Sequence, residues 1–346
     1  MKKTILITGG AGFIGSNFVR YIYNHYPDYR LIVLDALTYA ANIAYLPVDI
    51  NKDYDNERLI FWYGNIKNGE LVDTLVSQSD IVVHFAAETH VTRSIYDNYL
   101  FFETDVIGTQ TIANSVLKYR NKIERFIHIS TSEVYGTAET EKMNEDHPLK
   151  PLSPYAAAKA GADRLVYSYW KTYEIPVIIV RPFNNYGPHQ HLEKVVPRFI
   201  TSCILNEKLK VHGDGLAARD FIYVEDTCKA LDIILHYDIN KIAGEIFNIA
   251  SGCHRTILSI AKDIIKLMNK SEELITFTGD RPGQVFRHTG DYSKFNKFTG
   301  WKPQIDWETG LLKCIEWYKK NVAIWSHMIW MREVPIITKS GKRELH

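Results

Sequence analysis

A glycine turn constrains this chain more than any other feature. The run from Lys3 to Thr8 is apolar in the manner of a buried parallel strand. It leads straight into Gly9-Gly10-Ala11-Gly12-Phe13-Ile14-Gly15. Glycines at 9, 12 and 15 permit a tight turn, a close approach of backbone to a pyrophosphate, and close packing of helix on strand. An amphipathic helical pattern follows, with apolar Phe13, Phe18, Val19 and Ile22. A second strand, Leu31 to Leu34, ends in Asp35. An acid about 20 residues beyond the glycines suits adenosine ribose hydroxyls and repels a 2′-phosphate. The turn therefore predicts a dinucleotide site, for NAD rather than NADP.

Strands and helices go on alternating to about residue 180. Apolar runs at Ile81–Phe85, Phe126–Ser130 and Val177–Val180 read as strands, and residues 103–119 and 155–173 read as helices. This is the pattern of an α/β fold, a doubly wound parallel sheet (Rossmann) with a smaller C-terminal substrate-binding lobe. Residues 1–188 are expected to form the dinucleotide-binding domain. Residues 189–346 are expected to form mainly the substrate lobe, with some strands returning to the sheet. Ligands in such sheets bind beyond the carboxyl ends of the strands. The segments Ala86 to His90, Ser130 to Glu133 and Arg181 to Pro188 each follow a strand, so they should converge. The stretch after Trp325 is aromatic and then polar, and the sequence assigns it no role.

Composition narrows the partners. The chain has 346 residues and a net charge of +1, with no Lys/Arg tract, which argues against nucleic acid. No apolar run reaches the ~18 residues a membrane span requires. The N-terminus reads as a strand entering a glycine loop, not a signal peptide. Cys203, Cys228, Cys253 and Cys314 are widely spaced, as free thiols of a cytoplasmic protein that pack in its core. No metal site is expected.

The chemistry lies in Ser130-Thr131-Ser132-Glu133 and in Tyr155-Ala156-Ala157-Ala158-Lys159. Tyr155 and Lys159 are one helical turn apart, so both can face one pocket. A nearby ammonium and the positive ring of a cofactor would lower the phenol's pKa. Tyr155 could then take a proton from a sugar hydroxyl while hydride leaves the same carbon. Glu133 would be a second base. Ser132 beside it is a poor proton donor at neutral pH. His84, on an apolar strand, reads as a core histidine, and His90 as either a substrate contact or scaffold.

Several blocks carry a family resemblance that runs from residue 3 to about 320. The segment Leu34-Asp35-Ala36-Leu37-Thr38-Tyr39-Ala40 is one. Ala86-Ala87-Glu88-Thr89-His90-Val91-Thr92-Arg93-Ser94-Ile95 is similar to an AAESHVDRS block. Arg181 to Pro188, continuing to Glu193-Lys194, resembles NNYGP…EK, and Arg219 to Asp226 and Arg281-Pro282-Gly283 resemble later motifs. Together they resemble the extended short-chain dehydrogenase/reductases, and within them the dTDP-glucose 4,6-dehydratases. The resemblance implies that Tyr155 deprotonates the C4 hydroxyl, that Thr131 bonds the C4 oxygen, and that Lys159 holds both the ribose and Tyr155. Glu133 then removes the C5 proton, and water leaves from C6. Gly9, Gly12, Phe13, Ile14, Gly15, Asp35, Asn65, Ile66, Ala86 and Ala87 would hold NAD. His90, Asn184, Lys194, Arg219 and Arg281 would hold a nucleotide-diphosphate sugar. The partner expected besides that sugar is a second copy of the chain.

Three departures bear on the outcome. Ser132 stands where the dehydratases carry an aspartic acid. Thr-Ser-Glu is instead the triplet of UDP-glucuronate decarboxylases and some epimerases, and decarboxylation needs no acid at O6. Gly252-Cys253-His254-Arg255-Thr256 lacks the dehydratases' Asn-Glu-Lys near the nucleotide pocket. Asn65 replaces an acid after Gly64, though an amide still bonds adenine. The alternatives left open are a decarboxylase, an epimerase, a 5,6-dehydratase or a non-catalytic NAD-bound sensor. The intact Thr131, Tyr155 and Lys159 argue against the sensor.

Overall fold

A computed structural model of the chain describes residues 3–53, 56–279, 285–337 and 342–345. Six strands form first: β1 (Thr4–Thr8), β2 (Arg30–Asp35), β3 (Leu59–Tyr63), β4 (Ile81–His84), β5 (Arg125–Ile129) and β6 (Val177–Pro182). The chain then makes β7 (Asn184–Tyr186), β8 (Leu209–His212) and β9 (Ala218–Tyr223) before β10 (Ile246–Ile249) returns beside β6. The main sheet has seven strands in the order β10-β6-β5-β4-β1-β2-β3, and every pair in it is parallel. Parallel neighbours need crossovers, and the helices that supply them cover both faces.

The burial pattern explains why these runs became strands. β1, β4, β5 and β6 are buried almost end to end, with both faces dry, which suits β-branched residues. One face packs against the helices Phe13–His25 and Val224–His236, through Phe18, Val19, Leu231 and Ile234. The other packs against Gly69–Ser77, Thr109–Lys118 and Pro154–Tyr173, through Leu75, Ile112 and Val166. β3 is an edge strand with Trp62 and Tyr63 exposed. A separate core gathers Phe199, Ile200, Leu209, Ile264, Leu311 and Trp325 into the lobe beyond β6. There β9 pairs with β7 and with β11 (His254–Thr256), and β8 pairs with β12 (Ile275–Thr278).

His84 is a satisfied core residue. Its Nδ1 lies 2.7 Å from Thr8 Oγ1 and its Nε2 lies 3.0 Å from Thr109 Oγ1. Burial pushes its imidazole down to about 3, so it is neutral. All four cysteines are free, and Cys203, Cys228 and Cys314 are buried. Cys253 departs from the expectation of core packing: it is exposed on the turn before β11.

Candidate active site

One cleft of about 460 Å³ opens at the carboxyl ends of the sheet strands. The glycine turn forms one end of it. Gly9 takes a positive φ of 69°, and a Cβ there would sit 2.6 Å from the Ala86 nitrogen. A Cβ on Gly15 would sit 2.2 Å from the Gly9 carbonyl oxygen. Only glycine lets the turn close on β4 and lets the helix start against it. Asp35, at the end of β2, accepts the Ala11 amide on one carboxylate oxygen (2.9 Å) and the Leu37 amide on the other (2.8 Å). Burial raises its pKa, and these two backbone donors oppose the rise. Each oxygen can accept a further hydrogen bond, which suits a vicinal diol. Phe13, Ile14, Asn65, Ile66, Ala86 and Ala87 line the same end. Asn65 uses its side-chain oxygen on the Lys67 amide at 2.9 Å.

The middle of the cleft holds the predicted reactive groups. Thr131 ends the extended run after β5 and begins the 3₁₀ turn Ser132–Tyr135, accepting the Glu133 amide at 3.2 Å. The helix Pro154–Tyr173 is capped by Ser153, whose hydroxyl accepts the Ala156 amide at 3.1 Å, with Pro154 in its first turn. That cap sets Tyr155 in the first turn and Lys159 one turn further on. Thr131, Glu133, Tyr155 and Lys159 all line the cleft. Ser132 is not among the lining residues, and its side chain is 1% exposed.

The electrostatics differ from the sequence expectation in one respect. Burial pushes the Tyr155 phenol well above its ordinary value, and the charges of Asp105 and Glu133 add to the rise. A hydrogen bond with Thr131 opposes it. The Lys159 ammonium donates to the Ile129 carbonyl at 2.8 Å. Burial draws Lys159 below the usual lysine value, against the pull of Asp105 and Asp163. Within the protein alone the phenol is therefore a weak acid.

The far end of the cleft carries polar groups that the sequence named only in part. His90, Asn184, Lys194 and Arg219 line it. Arg281 lies outside the described residues. His90 caps the helix Val91–Tyr96 and lines the cleft. Asn184 Nδ2 is buried with no partner among the described residues. Lys194 reaches the Thr89 carbonyl at 2.9 Å. Arg219 is buried, and its Nε lies 3.9 Å from Glu133 Oε1, so it joins the two parts of the cleft.

Glu193 is the residue that single-sequence reasoning passed over. It accepts from Tyr39 (2.7 Å) and from Arg93 (3.1 Å), with His90 and His191 each 3.8 Å away. Burial opposes its ionisation, but His90, Lys194, His191 and the Tyr39 hydrogen bond hold its carboxyl at about 2. Glu88 beside it behaves oppositely: burial, with the charge of Glu193, pushes it up to about 7. Asp105 is similar, pushed by burial to about 7 on the π-helical stretch Phe102–Gly108. Perturbed acids of this kind gather at functional sites. Among the described residues no group of three or more His, Cys, Asp or Glu could hold a metal ion, and no helix is long and apolar enough to cross a membrane.

The chain is similar to known proteins. The profile of a family described as GDP-mannose 4,6 dehydratase matches residues 6–314. The low-salt glycan biosynthesis protein of Haloferax volcanii is 45% identical over 315 residues, covering 91% of this chain and 98% of that protein. The mouse dTDP-D-glucose 4,6-dehydratase is 38% identical, covering 94% and 91%. The dTDP-glucose 4,6-dehydratase of Streptomyces venezuelae, solved with NAD and TYD bound, superposes with a TM-score of 0.87 at 37% identity, covering 94% and 99%. The glycine turn, the Tyr155–Lys159 helix and strands β2 to β12 fall inside the matched span, and the chain belongs to the GDP-mannose 4,6 dehydratase family, among the extended short-chain dehydrogenase/reductases.

Proposed function

We propose that this protein is an NAD-dependent NDP-hexose 4,6-dehydratase. The reading rests on one observation: Thr131, Glu133, Tyr155 and Lys159 share a cleft wall with a glycine turn and Asp35 at one end and cationic groups at the other. NAD, when bound, would accept hydride from C4 and return it to C6. Tyr155 takes the proton of the C4 hydroxyl, and Thr131 hydrogen-bonds the C4 oxygen. The resulting ketone acidifies C5, and Glu133 removes that proton as water leaves from C6. Lys159 orients the cofactor ribose. Asn184, Lys194 and Arg219 hold the nucleotide diphosphate, with Arg281 as a further contact. Residues 1–188 form the cofactor domain, and residues 189–346 supply most of the sugar-nucleotide lobe.

The test is a panel of NDP-hexoses and NDP-hexuronates with products read by mass. Loss of one water from a hexose supports the dehydratase. A second reading, a decarboxylase or epimerase, is favoured by the one fact that Ser132 is buried away from the cleft and offers no acid to O6. Carbon dioxide released from a uronate, with no water lost from any hexose, would decide for it.

NAD is expected to bind on the order of 10²-fold more tightly than NADP, because Asp35 would face a 2′-phosphate with like charge. Titration of the purified protein with each dinucleotide measures this, and a preference for NADP would overturn it. The protein acts as a homodimer in the cytoplasm. The dimer is supported by an apolar strip in which Tyr96, Tyr99, Leu100, Phe102 and Ile107 are each between 41% and 68% exposed. Ile107→Arg should shift the sedimenting species to monomer. A wild-type chain that sediments as a monomer at micromolar concentration would remove the dimer. The cytoplasm is supported by four cysteines that remain free thiols.

A further inference from the structure

Glu133 has a buried neighbour that the reaction scheme leaves unused. His288 is fully buried, and its Nδ1 lies 3.8 Å from Glu133 Oε1. The segment that carries it is fastened on two sides. The His288 amide donates to the Ala218 carbonyl at 3.0 Å, next to Arg219, and its Nε2 lies 2.6 Å from the Gly136 carbonyl oxygen. A carbonyl only accepts, so Nε2 carries the proton and Nδ1 presents a lone pair. That Nδ1 has no hydrogen-bond partner among the described residues. Burial, against the opposing charge of Glu133, pushes the imidazole down to about 4, so it is neutral at pH 7. A neutral ring in this tautomer cannot supply a proton to a leaving oxygen. It can only accept one, and the carboxyl of Glu133 is the group in front of it.

We infer that His288 is a positioning residue for the base Glu133: its Nδ1 accepts a hydrogen bond from the carboxyl once Glu133 has taken the C5 proton. The C5–H bond breaks, its electron pair passes into the ketone's enolate, and an O–H bond forms at Glu133. The carboxyl then turns from Arg219 toward His288. A rotation of the carboxyl covers the roughly 1 Å between the present separation and a hydrogen bond. The leaving C6 oxygen takes a proton from solvent, offset by the C4 hydroxyl proton that Tyr155 gives up to solvent, and the proton on Glu133 returns to C5 when C6 receives the hydride taken from C4. Ionised Glu133 is thus held by Arg219 and neutral Glu133 by His288, so the residue has a defined place in both states.

The inference rests on reading Glu133 as the base at C5, and two measurements separate the claims. His288→Gln keeps a donor for the Gly136 carbonyl and removes the Nδ1 acceptor, whereas His288→Asn places an amide oxygen near Nδ1. The glutamine variant should lose roughly 10- to 100-fold in kcat with KM changed less than about threefold, and the asparagine variant should recover most of that loss. Equal losses in both variants, or a glutamine variant with unchanged kcat, would overturn the inference. The second measurement needs no turnover and no His288 variant. In protein labelled with 15N-histidine, His288 should show the neutral Nε2–H tautomer, and Glu133→Gln should shift its Nδ1 signal. An unmoved signal overturns the coupling, whereas a wild-type protein that releases carbon dioxide from a uronate overturns only the dehydratase reading.

Discussion

Replacing Tyr155 with phenylalanine is expected to lower kcat by roughly 10²–10⁴-fold. Nucleotide-sugar binding should change by less than about threefold. The separation follows from where the phenol sits. The ring packs edge-on against Phe101 with centroids 6.2 Å apart and touches Ala158, contacts that phenylalanine keeps. Only the hydroxyl is lost, and in the proposed reaction it acts solely on the C4 proton. Burial holds that hydroxyl neutral in the protein alone, and Lys159 is engaged with the Ile129 carbonyl. The base form therefore depends on positive charge arriving in the cleft with the cofactor, helped by Lys159 once it turns toward the ribose. Turnover read by product mass and affinity read by calorimetry test both halves. Activity within about tenfold of the parent would remove Tyr155 from the base role.

The parts legible in the sequence are those whose partners lie close along the chain. The glycine turn, its strand and Asp35 occupy one short stretch, and Asp35 bonds an amide only 24 residues away. Tyr155 and Lys159 share a helix face, so spacing alone brings them together. Adjacency misled at Ser132. Thr131 is extended, with φ −159° and ψ 155°, and the turn that follows buries Ser132 while Thr131 and Glu133 face the cleft. Neighbours in such backbone do not share a face. Glu193 was invisible as a hub because Arg93 and Tyr39 lie 100 and 154 residues from it. His288 and Glu133 are likewise joined only by the fold. Arg181 opens a block that resembles a nucleotide-binding motif, yet the side chain is 1% exposed and points into the scaffold. The stretch after Trp325, which the sequence left unassigned, is anchored to the lobe by Trp325 donating to the Tyr318 carbonyl and by Arg332 pairing with Glu207.

That scaffold carries the second large effect. Arg181 makes a two-pronged pair with Asp163, Nε to Oδ2 and Nη2 to Oδ1, both at 2.9 Å. Its Nη1 donates to the Tyr135 hydroxyl at 2.9 Å, which in turn donates to Asn248 at 2.8 Å. The pair thereby ties β6 to the helix of Tyr155 and Lys159, to the turn of Glu133 and to β10. Both charges are essentially out of water, so removing one leaves the other uncompensated. Asp163→Ala should cost about 3–5 kcal/mol of stability. That corresponds to a fall in Tm of roughly 6–15 °C. The companion double variant, Asp163→Leu with Arg181→Met, removes both charges at similar volume and should recover much of the loss. The pH dependence has a defined sign. Burial opposes ionisation of Asp163, but Arg181 and Arg164 hold its carboxyl well below the usual range. A depressed folded-state pKa stabilises above the unfolded value of about 3.9 and is lost as the pH falls toward the folded one. The Asp163→Ala penalty should therefore be full at pH 7 and shrink on acidification below about pH 4. Thermal melts of the parent and both variants at several pH values measure this. A single variant as stable as the parent, or a double variant no better than the single one, would mean that the ion pair does not hold this scaffold together.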